Sequence, residues 1–228
     1  MNELHEKLSP WLDKLPFHWD SIKEYGKIRH LPKGEYLFHQ GDESNKVYIV
    51  ESGRIRLFLI TMDGKEKTIT VIGKNGLVGD QLRSIPSFYY ASAITVSDSI
   101  LIEMDKKVFE QHVLQDTEMT KQWLELLSIK SEILTNSLLH VSYESSLRRI
   151  INALVQLANS YGIETQNGSI KISIPFTHQE LSELIGTSRV TVSNSIALLQ
   201  EANLVYKKNK FYHITNIAKL KEFRSEGI

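Results

Sequence analysis

The 228-residue chain is 41% hydrophobic and 24% charged, proportions that allow a sizeable buried core, and it has no apolar run of about eighteen residues to span a membrane. It has no cysteine, which excludes disulfides, thiolate metal sites and cysteine-ligated iron–sulfur clusters together. The formal net charge of zero hides an asymmetry: residues 143–228 hold ten Lys/Arg against seven Asp/Glu, and residues 1–142 hold seventeen against twenty, as a basic reading head joined to a neutral or acidic sensor would.

The opening residues Met1–Glu6 lack a basic stretch leading into an apolar one, so no export signal is read there and the cytoplasm is the expected compartment. From about Ile28 to Met104 the chain reads as many short strands. Val47–Val50 precedes Glu51-Ser52-Gly53, and Arg54–Ile60 is joined by Asp63-Gly64 to Lys67–Ile72. Asp-Gly between alternating apolar runs is a strong hairpin signal, because both turn residues tolerate positive φ. Glycines recur at about one per turn, which suggests a β-sandwich or roll.

Asp105 to Val141 contains no Gly or Pro, and its pattern is helical. Thr120, Leu124, Leu127, Ser131, Leu134, Leu138 and Val141 alternate by four and three, a heptad seam by which two identical helices bury a shared stripe. A core helix with a wide apolar face is the other reading. Trp123, Leu126, Ile129 and Ile133 lie on a neighbouring face able to pack on the roll. About 35 residues at ~1.5 Å each exceed what one small domain needs, which favours the dimer helix.

After Ser142, Leu147–Tyr161 reads as an amphipathic helix closed by Gly162. A short strand pair is expected near Ser169–Ile174. Thr177-His178-Gln179-Glu180 has the spacing of a capping box, and the helix Gln179–Ile185 ends at Gly186, which permits a tight turn. Ser188 caps the next helix, Arg189 to about Glu201. Val192, Ile196 and Leu199 face inward there, and Arg189, Val190, Ser193, Asn194 and Ala197 face outward, as suits a major-groove helix. Residues Leu204–Ile214 read as a β-hairpin with Asn209-Lys210 at its tip, and Lys207 and Lys208 are either phosphate contacts of a wing or a solvated tip.

The stretch from Phe176 to Ile196 resembles the helix-turn-helix of the cyclic-AMP-receptor/fumarate-nitrate-reduction (CRP/FNR) regulator superfamily. Lys33-Gly34, Leu37, Gly41, Tyr48–Val50, Gly53, Gly64 and Gly79 agree with that family's sensor pattern, and the likeness runs from about residue 20 to 220. It implies an α+β protein in three parts. These are a double-stranded β-helix, or cyclic-nucleotide-binding-like roll, over 1–115, a dimerisation helix over 116–142 and a winged helix-turn-helix over 143–228. It implies a non-enzymatic homodimer that binds double-stranded DNA and answers to a small-molecule effector, with RNA polymerase as a further partner and activation as the expected mode.

By the same resemblance Gln179, Ser188 and Thr191 hold phosphates, with Lys207 and Lys208 on the wing. Arg189, Val190, Ser193 and Asn194 face the bases. Many family members carry Glu and Arg at the positions of Val190 and Asn194. Val190 can only touch a thymine methyl, and Asn194 is matched to adenine N6/N7, so an A·T-rich inverted repeat is expected, with Arg189 on a guanine or a phosphate. The seam would rest on Leu124, Leu127, Leu134, Leu138 and Val141.

In cyclic-nucleotide members an Arg on the phosphate loop pairs with the cyclic phosphate. Here Val78-Gly79-Asp80-Gln81-Leu82 is followed by Tyr89-Tyr90-Ala91-Ser92-Ala93, without that Arg. A buried anion that loses its bidentate partner is strongly disfavoured, so cyclic AMP is not the expected effector. The Tyr-Ala-Ser-Ala element resembles the halophenol-responsive branch that controls reductive dehalogenation, although Thr70 and Asp80 stand where its phenol-binding Tyr and Lys should fall. The candidate effector residues are Thr70, Gly79, Asp80, Gln81, Leu82, Tyr89, Tyr90 and Ser92, with Lys130, Ser131 and Thr135 from the long helix. Lys130 could equally be solvated and Ser131 a small seam residue. A cyclic-nucleotide-responsive or ligand-independent regulator of the same fold stays open. Haem is not expected, since His112 and His140 read as surface or packing residues. A β-roll enzyme is the remote alternative: the eight His are scattered, His30 and His39 lack a third ligand, and no nucleophile elbow, P-loop or dinucleotide fingerprint is present.

Overall fold

The computed structural model describes residues 9–81 and 87–225. They divide into two compact units, with the boundary between Leu134 and Thr135 inside one long helix. The first unit contains β1 (Trp11–Leu12), α1 (Asp20–Lys23), β2 (Lys27–Leu31), β3 (Tyr36–Phe38), β4 (Lys46–Ser52), β5 (Ile55–Ile60), β6 (Glu66–Ile72), β7 (Leu77–Val78), β8 (Ser92–Thr95) and β9 (Ser99–Asp105). They form two sheets, ordered β1-β6-β5-β8-β3 and β2-β9-β4-β7. The roll read from the sequence is therefore present. β4 is buried over all of Val47–Val50, which is why that strand reads as a continuous apolar run and not as an alternation.

Two features differ from the sequence reading. The core also takes in Phe17, Trp19 and Ile22, ahead of the strands expected from about Ile28, on elements too short for periodicity to register. At the β5–β6 hairpin only Gly64 of the Asp-Gly pair has positive φ, at 77°. Thr61 and Lys65 close the loop through Thr61 N–H on Lys65 O at 2.9 Å, and Gly64 N–H reaches Thr61 O. Three residues with a left-handed glycine last make a type I turn with a G1 bulge, not a two-residue turn.

The helical stretch expected from Asp105 to Val141 is two helices, α2 (Lys106–Gln115) and α3 (Thr117–Tyr143). Asp116 breaks the run: its backbone is extended, and its carboxylate accepts the amides of Glu118 and Met119 at 2.9 and 3.0 Å. A side chain that caps the next helix so well competes with continuation of the previous one. On α3, Met119, Trp123, Leu126 and Ile133 are buried in the roll's core, and Ile129 packs partly against it. Burial of each large side chain contributes about 1.5–3 kcal/mol. Leu124, Leu134, Leu138 and Val141 lie on the other face, 46–66% exposed. Leu127, expected in that seam, is half-buried against the roll's core instead.

The second unit holds the end of α3, α4 (Ser146–Tyr161), β10 (Gly162–Glu164), β11 (Ile170–Ile172), α5 (His178–Ile185), α6 (Arg189–Glu201), β12 (Val205–Lys208), β13 (Phe211–Ile214) and α7 (Ile217–Ser225). Its antiparallel sheet is ordered β10-β11-β13-β12. α4 packs on α5, α6 and α7, and buries Ile150, Ile151, Leu154 and Leu157. Gly162 does end α4, but in extended backbone with φ −74° and not in the left-handed form. Its lack of a side chain is what the site needs, because a Cβ would collide with the Ala158 carbonyl and the Ile170 side chain.

Candidate functional site

The helix-turn-helix is built from local signals. Thr177 accepts the Glu180 amide at 3.1 Å, and the Glu180 carboxylate accepts the Thr177 amide at 2.7 Å, so the capping box closes as the spacing predicted. α5 ends at Gly186, whose φ of 70° is left-handed, and the Thr187 amide returns to Ser182 O at 3.0 Å. Ser188 then caps α6 by accepting the Thr191 amide at 3.0 Å. α6 ends in a Schellman motif on Asn203, with φ 55°: the Leu204 amide reaches Leu199 O and the Asn203 amide reaches Gln200 O. Val192, Ile196 and Leu199 are buried, so the helix has one fixed inner face.

That inner face leaves Arg189, Val190, Asn194 and Ala197 exposed, with Val190 68% accessible. Gln179 is exposed near the start of α5, its amide on Glu183 at 2.7 Å. Ser188 and Thr191 share a hydroxyl contact at 2.8 Å. The wing is the β12–β13 hairpin. Its Asn209 and Lys210 both have positive φ, the signature of a type I′ turn, and Lys207 and Lys208 on β12 are exposed. Arg189, Val190, Asn194, Gln179, Ser188, Lys207 and Lys208 are thus accessible residues of one unit. Ser193 differs, because its hydroxyl contacts His178 Nδ1 at 2.7 Å. His178 in turn contacts the Tyr212 hydroxyl through Nε2 at 2.7 Å. Burial, then Lys207 and Arg189, hold the His178 pKa below its ordinary value. Nothing in the sequence marked His178 or Tyr212 for this, since their partners lie 15 and 34 positions apart.

In the roll, Phe38, Leu57, Gly79, Asp80, Gln81, Tyr90 and Ala91 line a small recess. Gly79 has φ 80° and sits so close to the Lys46 carbonyl that a Cβ would come within 2.7 Å of it. Asp80 is buried and faces α3: Lys130 Nζ binds its two oxygens at 2.6 and 2.9 Å, and Trp123 Nε1 donates to it at 3.3 Å. Lys130 also donates to Leu77 O at 3.0 Å. Lys130 is therefore not solvated, and its charge is committed to Asp80. Three other expected effector residues spend their hydroxyls on the backbone. Thr70 donates to Pro10 O at 2.7 Å, Tyr89 donates to Lys46 O at 2.8 Å, and Ser92 accepts the Gln40 amide at 2.9 Å. Tyr89 is also stacked on Phe38 at 3.6 Å. Gln81 turns its amide to Phe88 O at 2.7 Å, while Tyr90 is half-exposed beside the recess. Ser131 and Thr135 are exposed on α3, and Leu82 lies outside the described residues. The sequence reading passed over Lys106, a buried ammonium donating to Ser44 and Ser87 at 3.1 and 3.0 Å. Among the described residues no group of three or more His, Asp or Glu could hold a metal, and no helix is long and apolar enough to cross a membrane.

A roll of this topology and a winged helix-turn-helix with a polar, partly basic outer face define the architecture of a sensor-regulated DNA-binding protein. Residues 28–116 match the cyclic nucleotide-binding domain family, and residues 148–223 match the Crp-like helix-turn-helix domain family. The chain belongs to the CRP family of DNA-binding transcription regulators. It is 25% identical over 167 residues to the CRP-like cAMP-activated global transcriptional regulator of Mycobacterium tuberculosis, covering 73% of this chain and 74% of the relative. A CooA variant from Carboxydothermus hydrogenoformans has the same fold, with a TM-score of 0.77 at 20% identity over 91% of this chain and 92% of that one. The OCPA complex of a cysteine-to-serine variant of CprK gives 0.74 at 21% identity over 95% and 97%. Two differently named regulators fit this closely, so the likeness shows the fold and selects no branch.

Proposed function

We propose that the chain is a homodimeric regulator whose α6 reads an A·T-rich inverted repeat and whose roll answers to a small molecule other than cyclic AMP. The outer face of α6 carries the reading. Val190 offers only methyl groups to a base edge, which suits the thymine methyl, and Asn194 presents the donor–acceptor pair that suits adenine. Arg189 is the cation for a guanine or a phosphate. Gln179, Ser188, Thr191, Lys207 and Lys208 supply phosphate contacts, which position the protein but carry no sequence information. Pairing of α3 along Leu124, Leu134, Leu138 and Val141 would present two such heads to half-sites one helical turn apart. Contact with RNA polymerase, activation and a cytoplasmic location complete this reading.

For the effector, the support is the Asp80–Lys130 pair. A cyclic phosphate entering the recess would meet a carboxylate whose counter-ion is already engaged. A neutral or weakly acidic aromatic ligand, a halogenated phenol among them, suits Phe38, Leu57 and Tyr90 better. Such a ligand shifts the conformational balance only as far as it binds one arrangement more tightly than the other. The same pair favours a second reading, in which Lys130 stands in for the effector and binds α3 to the roll without one.

Selection from randomised duplexes tests the DNA half. Half-sites with A·T pairs opposite Val190 and Asn194 are expected, and recovery of a G·C core would overturn the assignment. A thermal-shift series with cyclic AMP and halogenated phenols tests the sensor half, where a shift with cyclic AMP alone would overturn it.

A further inference from the structure

We propose that His178 and Tyr212 are positioning residues that fix the polarity of Ser193, so that its hydroxyl offers DNA a donor. This rests on the reading of α6 as the base-facing helix and adds the polarity of one contact to it. A neutral imidazole carries one N–H, and its neighbours decide which nitrogen holds it. Tyr212 is 1% exposed, and among the described residues its hydroxyl is partnered by His178 Nε2 alone, at 2.7 Å. With a proton on Nε2, the tyrosine would have to accept, and its own proton would point unmatched into packed protein, which burial makes costly. Tyr212 therefore donates to Nε2. The imidazole proton sits on Nδ1 and is donated to Ser193 Oγ at 2.7 Å.

The consequence falls on Ser193. Its oxygen is used as an acceptor from within, and among the described residues the hydroxyl has no other partner. Its proton is thereby left available to a partner outside the His178 contact. A hydroxyl held this way matches an acceptor on a base edge, meaning thymine O4, guanine O6/N7 or adenine N7, better than the amino group of cytosine. A free serine takes either role, because its hydroxyl rotates to suit. A second proton on His178 would sit on Nε2 and take away the acceptor for Tyr212, while the Nδ1 proton would still be donated to Ser193. Burial and the nearby Lys207 and Arg189 cations oppose that proton.

Nitrogen-15 NMR of the histidine side chains in the full-length protein without DNA reads the tautomer directly. The Nδ1–H form is expected for His178, and Tyr212→Phe, which removes only the oxygen, should give a mixture of tautomers. An Nε2–H form in the unaltered protein would overturn the proposal and leave DNA binding by α6 intact. The second measurement is duplex affinity across the four base pairs at the step facing Ser193. The unaltered protein should disfavour cytosine, the one base without a major-groove acceptor, at the position facing Ser193 by about tenfold, and Tyr212→Phe and Ser193→Ala should each lose most of that preference. An undiminished preference in Tyr212→Phe would overturn the relay. Failure of the unaltered protein to bind any duplex would instead remove the DNA reading beneath it, with the tautomer unaffected.

Discussion

Lys130→Met strips the ammonium from Asp80 and keeps the unbranched apolar stem against the roll. The two side chains are 13% and 7% exposed, so water screens the pair little. Removal of one partner from an ion pair so enclosed costs about 3–5 kcal/mol, because the remaining charge stays buried without compensation. Trp123 Nε1 still donates to Asp80 at 3.3 Å, which places the expected loss near the lower end, about 3 kcal/mol. For a unit of this size that corresponds to a fall in Tm of about 10 °C. Urea and thermal unfolding, followed by circular dichroism, measure it. The double variant Asp80→Asn/Lys130→Met buries no charge and should recover more than half of the loss. The reasoning is refuted if Lys130→Met unfolds within about 1 kcal/mol of the unaltered protein, or if the double variant is no more stable than the single one.

The paired change Val190→Glu with Asn194→Arg should move the preferred half-site toward a G·C core, each new base pairing being worth about 1–3 kcal/mol of discrimination in duplex selection. Leu134→Glu with Leu138→Glu puts like charges along the exposed seam of α3, and analytical ultracentrifugation should find a monomer with the roll still folded. Gly186→Ala forces a side chain onto a φ of 70°, and should lower the stability of the winged helix by about 1–2 kcal/mol in urea titration. Burial, followed by neighbouring lysine or arginine charges, holds His178 and His213 below the ordinary imidazole value of 6.5. The folded state thus resists their protonation, and stability is full above about pH 6.5 and declines as pH falls through the folded values. Urea midpoints at about pH 7.5 and 5.5 check this, and a higher midpoint at the acid end would contradict it.

The parts of the molecule that were legible in the sequence are those fixed within a few residues. The Thr177–Glu180 box, Gly186, the Ser188 cap and the Asn209-Lys210 tip each satisfy or aim backbone groups locally, so residue type and spacing suffice to place them. The apolar face of α3 toward the roll was legible for the same reason, through its period. Asp116 was not, because the absence of Gly and Pro hides a break made by a capping carboxylate. The sensor pocket was read least well. Thr70, Tyr89 and Ser92 look in sequence like free hydroxyls, but each is consumed by a backbone group distant in the chain. Asp80 and Lys130, separated by fifty positions, neutralise each other only once the roll has closed on α3. Long-range pairing of this kind leaves no periodicity, and neither residue alone shows that its charge is spent.

The exposure of Val190 separates two components of recognition that usually change together. Contacts from Lys207, Lys208 and Arg189 to phosphates would release counter-ions, so affinity falls steeply as salt rises. A methyl-to-methyl contact involves no charge and is not screened. At a base pair that Val190 would face, preference would therefore be a ratio that survives salt while the affinity beneath it decays. Such a regulator would bind fewer sites at high salt without becoming less selective among them.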